Sequence, residues 1–378
     1  MSRPPAQPGM AFAEIDTPAL VIDLDAFERN VRRMADITKT AGIRLRPHAK
    51  THKSSTIARL QMDLGAVGVC CQKVSEAEIL ARDGIGDILV SNEIAGAAKI
   101  ERLAALARHV KIGVCVDDAD NVAEIAAAAG RHDVSISVLV EIDVGGNRCG
   151  VAAGEPALRL ASKIARSNLL RFGGLQAYHG SAQHLRTFEE RRDAITRAID
   201  MTRQTVDLLA REGLTCETVG GAGTGTFELE AASDVYNELQ AGSYIFMDAD
   251  YARNRKADGT GNDRFEHALF ILTTVMSKSS DARAVVDAGH KSAAVDSGLP
   301  EPFRRPGVIY RRPSDEHGVL TSESGGALPR RGEKILLIPG HCDPTVNLYD
   351  WYVCVRGLHG AAPKVEAIWS VSARGAAQ

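Results

Sequence analysis

Short apolar runs rich in Val and Ile recur through the first two thirds of the chain. They lie at 43–48, 67–71, 87–91, 111–116, 135–142, 172–178, 216–221 and 237–242. Many are apolar on both faces, as parallel strands covered on both sides must be. Between them the apolar spacing lengthens to a helical period, over 26–42, 54–65, 75–83, 95–109, 119–130 and 187–212. Ser75 with Glu78, and Thr187 with Glu190, have the capping-box spacing of helix starts. Gly42, Gly65, Gly84 and Gly213 stand where helices stop. This alternation predicts an α/β fold, a TIM-like (β/α)8 barrel over 26–260, with a doubly wound open sheet as the competing arrangement. After 260 the runs ALFILTTVMS, RAVVDAG, GVIYRRP, EKILLIPG, DWYVCVRG and KVEAIWSV are β-like, with no long helical period among them. They predict an all-β domain over 261–378. The strand-like segment 17–25 precedes the first barrel helix and is expected to join that second domain.

Composition narrows the functions. The 378 residues are 44% hydrophobic and 25% charged, which is ordinary for a globular protein. Lys+Arg 45 against Asp+Glu 48 leaves a net charge of −3, so no basic excess is available to hold a nucleic acid. No apolar run reaches the ~18–20 residues that a membrane helix needs. The first residues, MSRPPAQPGMAF, lack the apolar stretch of a secretory signal. Seven cysteines with no CxxC pair read as buried thiols, and the expected location is the cytoplasm. The 35 glycines predict many tight turns or close backbone approaches.

Barrel enzymes build their sites at the C-terminal ends of the strands. Lys50 follows the first strand at a position expected to be buried, where a lysine is either paired or reactive. Lys53 and Lys73 compete with it. GGAGTG (220–225) supplies consecutive N–H groups and the Thr224 hydroxyl after strand seven, and Gly242, Ser243 and Tyr244 follow strand eight. Together they would form a phosphate cup. Arg148 faces either a ligand heteroatom or solvent. Tyr178, His179 and His184 end strand six, where one histidine suits a general base and the other a structural role. His341 and Asp343, read on an extended segment, would point the same way and offer two ligands to a divalent metal, or Asp343 would cap a turn locally.

RPHAKTHK (46–53), CCQKVSEAE (70–78), EIDVGGNRCGV (141–151), LQAYHGSAQH (175–184), GAGTG (221–225), ELQAGSYIFMDADY (238–251), DEHGV (315–319) and PGHCDPTVNLYDW (339–351) occur in one order. On these motifs the chain resembles the D-threonine aldolases and the related 3-hydroxy-D-aspartate aldolases, in the alanine-racemase-like group of pyridoxal-phosphate enzymes. The resemblance covers nearly the whole chain. It implies that Lys50 carries pyridoxal 5'-phosphate as a Schiff base and that Arg148 faces the pyridine nitrogen. It further implies that Gln72 and Tyr178 position the ring, and that Thr224, Gly225, Gly242, Ser243 and Tyr244 hold the phosphate. His341 and Asp343 would bind Mn2+ or Mg2+, and His184 would take the β-hydroxyl proton. Related dehydratases carry H-x-C where this chain has Asp343, a harder ligand, which favours carbon–carbon cleavage over elimination. A non-catalytic pyridoxal-phosphate-binding protein would lack the second domain. The implied partner is a small D-3-hydroxy amino acid, D-threonine or 3-hydroxy-D-aspartate, with Arg186, Arg253 or Arg255 as the cation for a second carboxylate. A homodimer is implied as well.

Overall fold

The structure, a computed structural model, describes residues 3–323 and 325–378. Strand β1 (Ala19–Asp23) leads directly into helix α1 (Leu24–Ala41). Asp23 caps that helix, accepting from the N–H groups of Asp25 and Ala26, and Gly42 ends it at φ 65°. There follow β2 (Arg44–Leu45), α2 (Ser55–Asp63), β3 (Val69–Cys71), α3 (Val74–Arg82), β4 (Asp87–Val90), α4 (Ala97–Leu106), β5 (Lys111–Val116) and α5 (Ala119–His132). Next come β6 (Ile136–Asp143), β7 (Val151–Ala152), α6 (Glu155–Ala165), β8 (Leu170–Gln176), α7 (Phe188–Arg211), β9 (Thr218–Gly221), α8 (Phe227–Ala231), β10 (Glu238–Leu239) and α9 (Ala249–Ala252).

The parallel strands run in the order β2-β10-β9-β8-β6-β5-β4-β3, with β7 attached to β6. The ends of that path meet. Val67 N–H donates to Leu45 O and Cys70 N–H to Pro47 O, both at 2.9 Å, and His48 and Cys70 form a parallel bridge. This closes the barrel rather than leaving an open sheet. Its interior holds a layer of Cys70, Leu89, Cys115 and Leu139. Toward the C-terminal end Gln176 and Gln240 exchange amide hydrogen bonds of 2.8 and 2.9 Å. At the opposite end buried Arg46 bonds Glu238 at 3.0 Å and Asp87 at 2.6 Å. All seven cysteines are free thiols, five of them buried.

One capping expectation is corrected. Helix α3 begins at Val74, and Glu76 takes the N–H groups of Gln72 and Lys73 at 2.9 and 3.1 Å. Ser75 and Glu78 are spent elsewhere, on Gln378 O and on Arg102. Glu76 wins because it is buried beside Lys53 and so is fixed for capping. At α7 Thr187 and Glu190 do cap each other, at 3.0 and 3.2 Å.

The second layer comprises β11 (Leu269–Ser280), β12 (Arg283–Val286), β13 (Glu301–Pro302), β14 (Val308–Pro313), β15 (Gly318–Ser322), β16 (Lys334–Ile338), the short helix α10 (Cys342–Val346), β17 (Trp351–Arg356) and β18 (Lys364–Ser370). Its sheet runs β14-β15-β12-β11-β1-β17-β18, with β16 on β11 and β13 on β16. Strand β1 lies antiparallel to β11 and parallel to β17. Phe27 of α1 packs on Phe246 below the barrel mouth and on Trp369 of β18, at ring separations of 6.3 and 5.7 Å. Ala249 N–H donates to Pro339 O, Cys342 N–H to Asp248 Oδ2, and Tyr352 Oη to His52 O. These contacts lay the 339–346 turn across the C-terminal mouth of the barrel. Among the described residues no helix is long and apolar enough to cross a membrane.

Candidate active site

Two adjoining cavities open at that mouth, of about 270 and 340 Å³. They share Lys50, Arg148, Tyr178, Ser243 and Tyr251. The inner one adds Gln72, Thr224 and Gly242, and the outer one adds His184, His341 and Asp343.

Lys50 sits in a 3-10 turn, Ala49–Thr51, that follows β2. It is not packed away as expected. Its side chain is 42% exposed to the cavity, and Nζ donates to Asp343 Oδ2 at 2.9 Å. Asp343 raises the pKa of Lys50, so the ammonium is strongly favoured while the pair is intact. Burial works against the Asp343 carboxylate, but Lys50 and His341 outweigh it and hold its pKa well below the usual range. The rival lysines lie elsewhere: Lys53 pairs with buried Glu76, and Lys73 is exposed at the N-cap of α3.

Above the inner cavity Arg148 lies over the Tyr178 ring, 5.5 Å from its centroid, and is 3.7 Å from Glu141. Burial pushes Glu141 up to about 8, with Glu93 beside it acting in the same direction. Gln72 is held 2.8 Å from His48 Nε2, and Ser91 Oγ is 3.2 Å from the same nitrogen. Burial, with Lys50 adding to it, drives the pKa of His48 well below its ordinary value, so its ring is neutral. His48, Ser91 and Tyr251 were not singled out in the sequence, although His48 and Tyr251 stand inside the quoted RPHAKTHK and MDADY motifs.

The Thr224 hydroxyl is buried with no hydrogen-bond partner among the described residues, and the Thr51 hydroxyl lines the same cavity while also facing the Asp343 carboxylate. Beside them the 3-10 turn Ser243–Ile245 begins at Gly242, and the first N–H groups of such a turn have no partner within it. An anion is what this set of donors fits. Two expected members do not contribute as read. Gly225 N–H donates to Gln183 Oε1 at 3.0 Å, so it is already engaged. The Tyr244 side chain is turned into the core, packs on Phe265 and accepts from Gln61 Nε2 at 2.9 Å. Gly242 and Ser243 line the inner cavity, and Tyr244 does not. The glycines at the strand ends also serve packing: a Cβ on Gly220 would lie 2.6 Å from Gln240 Nε2, and one on Gly242 2.6 Å from Thr51 Oγ1.

The His341–Asp343 pair is not on an extended segment. His341 is the N-cap of α10 and Asp343 lies in its first turn, because the chain must bend at the mouth where Asp248 takes Cys342 N–H. His341 Nδ1 bonds Asp296 Oδ2 at 2.7 Å, leaving Nε2 for another partner. Asp343 Oδ1 is buried with no partner among the described residues. An imidazole nitrogen and an orphaned carboxylate oxygen on one turn fit a divalent cation. Cys342 is fully buried and faces away.

Of the two strand-six histidines, His179 is buried against Gly145 and bonds Ser181 Oγ at 3.3 Å. His184 ends the 3-10 turn Ser181–His184, is 48% exposed in the outer cavity, and places Nδ1 2.6 Å from Asp250 Oδ2.

A closed (β/α)8 barrel with a β domain across its mouth and a lysine at the end of its first strand is the alanine-racemase-like arrangement. Residues 22–250 match the family described as alanine racemase, N-terminal domain, and residues 268–355 match a putative serine dehydratase domain. The chain is 50% identical to a 3-hydroxy-D-aspartate aldolase of Paracoccus denitrificans (strain Pd 1222), over 98% of this chain and 95% of that one. It is 48% identical to a D-threonine aldolase of Arthrobacter sp., over 98% and 96%. The solved D-threonine aldolase of Filomicrobium marinum superposes with a TM-score of 0.95 at 54% identity, covering 99% of both chains. The chain therefore belongs to the family of D-threonine and 3-hydroxy-D-aspartate aldolases, carbon–carbon lyases built on the alanine-racemase fold. Fold and family together imply pyridoxal phosphate as the cofactor.

Proposed function

We propose that this chain cleaves D-3-hydroxy amino acids between Cα and Cβ, with D-threonine giving glycine and acetaldehyde. The observation that carries the reading is the outer cavity, where Lys50 and Asp343 stand 2.9 Å apart and His184 lines the same space. In this reading Lys50 would hold pyridoxal phosphate, and Gln72, Arg148 and Tyr178 would position it. Thr224 and the main chain at Gly242 and Ser243 would hold its phosphate. The cofactor supplies an electron sink for the pair released when the Cα–Cβ bond breaks. His341 and Asp343 would hold a divalent cation, Mn2+ or Mg2+, whose charge would make the substrate β-hydroxyl easier to deprotonate. His184 takes the β-hydroxyl proton on Nε2 as the Cα–Cβ bond breaks, and a proton returned to Cα completes glycine, so the exchange balances. The β domain closes the mouth and limits water.

Within the family the side chain of the substrate is the open choice, and one observation favours a neutral one. Arg186 is bound to Asp250 and Asn254, and Arg253 lies near Asp250 and Glu301. Arg255 lines a different cavity, beyond the Thr224 turn. A second carboxylate, as in 3-hydroxy-D-aspartate giving glyoxylate, would therefore compete for Arg148. The free thiols suit a reducing cytoplasm, and the implied homodimer is part of the same proposal.

Steady-state cleavage of D-threonine and both diastereomers of 3-hydroxy-D-aspartate tests the reading, with Mn2+ and Mg2+ supplied in turn. Glycine plus an aldehyde is expected; ammonia plus a keto acid would mean elimination instead. Lys50→Ala is expected to lose the visible absorbance of the bound cofactor. Exhaustive chelation is expected to abolish turnover and spare that absorbance, and undiminished turnover would remove the metal from the scheme.

A further inference from the structure

His184 is held on two sides by one short helix. Its Nδ1 lies 2.6 Å from Asp250 Oδ2, and its ring packs on Tyr251 at 5.8 Å between centroids. Both partners belong to α9, which Asp248 caps by accepting Tyr251 N–H at 3.0 Å. Asp250 is 4% exposed, and its second oxygen, Oδ1, takes Arg186 Nη2. The same guanidinium reaches Asp250 O at 2.8 Å and Asn254 Oδ1 at 2.9 Å. The carboxylate is thus clamped before it meets the imidazole.

A neutral imidazole carries one N–H, and a carboxylate can only accept. With Asp250 facing Nδ1, the proton belongs on Nδ1 and the lone pair on Nε2. The outer cavity is where His184 is exposed, so Nε2 is the nitrogen left for a ligand.

We propose that Asp250 is a positioning residue that fixes the tautomer and the ring orientation of His184, with Arg186 holding Asp250 in place. The proposal rests on His184 being the base. When His184 takes a proton on Nε2, the ring becomes an imidazolium whose charge faces a carboxylate already in position. No rearrangement is then needed at the moment of transfer. Burial opposes ionisation of Asp250, yet Arg186 and His184 keep its pKa below the ordinary carboxylate value, so the charge is present at neutral pH.

The test is a double-mutant cycle in the holoenzyme loaded with Mn2+, following acetaldehyde release from D-threonine. Asp250→Asn is expected to lower kcat roughly 100-fold, within the usual range for a positioned base, with KM changed much less. Asp250→Glu is expected to recover part of that loss. In a His184→Ala background the added Asp250→Asn change should cost less than about twofold, since residues that act as a unit are not additive. Losses that multiply would reduce Asp250 to a structural role and overturn the proposal. A normal kcat for Asp250→Asn beside an impaired His184→Ala would overturn it while leaving His184 as the base. A normal His184→Ala would remove the base assignment itself. Nitrogen-15 NMR of histidine-labelled holoenzyme, loaded with diamagnetic Mg2+ in place of Mn2+, gives a readout independent of turnover and of the Asn variant's folding. The Nδ1–H tautomer at His184 is expected, and the Nε2–H tautomer would refute the dyad.

Discussion

Glu230→Gln isolates a buried carboxyl group beneath the Thr224 turn. Glu230 lies in α8, is 2% exposed, and accepts from Thr226 Oγ1 at 2.8 Å. Thr226 in turn accepts from Gln183 Nε2 at 2.8 Å, and Gln183 Oε1 accepts Gly225 N–H at 3.0 Å. The chain of bonds ends beneath the Thr224 turn. Burial pushes the Glu230 carboxyl up from 4.5 to about 7. Between those values the folded state keeps a proton that the unfolded chain releases. Stability therefore falls as pH rises from 4.5 to 7, and the whole cost stands above 7. At ~1.4 kcal/mol per tenfold the cost is about 3 kcal/mol. Glutamine has the same shape and cannot ionise. Its amide would face the position where Oε2 now has no partner among the described residues, a constant penalty of ~1–3 kcal/mol. That penalty shifts the variant's curve without tilting it. Urea unfolding of the apoprotein at pH 5 to 8 should show the variant less stable at pH 5. The difference should move in its favour by about 3 kcal/mol by pH 8. Titrations common to both proteins cancel in that difference. Parallel curves would refute both the raised pKa and the reasoning from burial.

Arg46→Met is expected to cost ~3–5 kcal/mol, because it leaves Glu238, 1% exposed, with only Arg44 at 3.8 Å, while Asp87 keeps Lys111 at 2.7 Å. A loss under 1 kcal/mol in denaturant unfolding would show that water reaches Glu238. Gly174→Ala should abolish soluble expression or sharply lower the midpoint of thermal unfolding, since φ is +126° and a Cβ would lie 1.9 Å from Thr218 O. An unchanged midpoint would mean that β8 and β9 separate easily.

The order of elements was legible because it is local. Strands at 87–90, 111–116 and 136–143 fall on the Val/Ile runs, and α7 starts at its Thr187 cap. A period of two or 3.6 and a capping side chain act within a few residues, so one chain suffices to read them. The β strand Gly318–Ser322 and the helix at 342–346 were not legible in this way. The first is short and edged by polar residues. The second was read as extended because the two-residue spacing of His341 and Asp343 suits a strand, while the bend imposed by Asp248 comes from another domain.

Cavity-lining residues divide along the same line. That Lys50, Thr224 and Ser243 would meet at one mouth was legible because a barrel places the ends of its strands there, and strand ends are visible in sequence. Which way each side chain turns was not visible. Tyr244 went to the core because Gln61 and Phe265 offered its ring and hydroxyl a dry, bonded place. The pairing of Lys50 with Asp343 spans 293 positions and that of His184 with Asp250 spans 66. Such meetings depend on barrel closure and on the β domain lying across its mouth. Both are set by packing between distant segments such as Phe27, Phe246 and Trp369, and no local pattern records them.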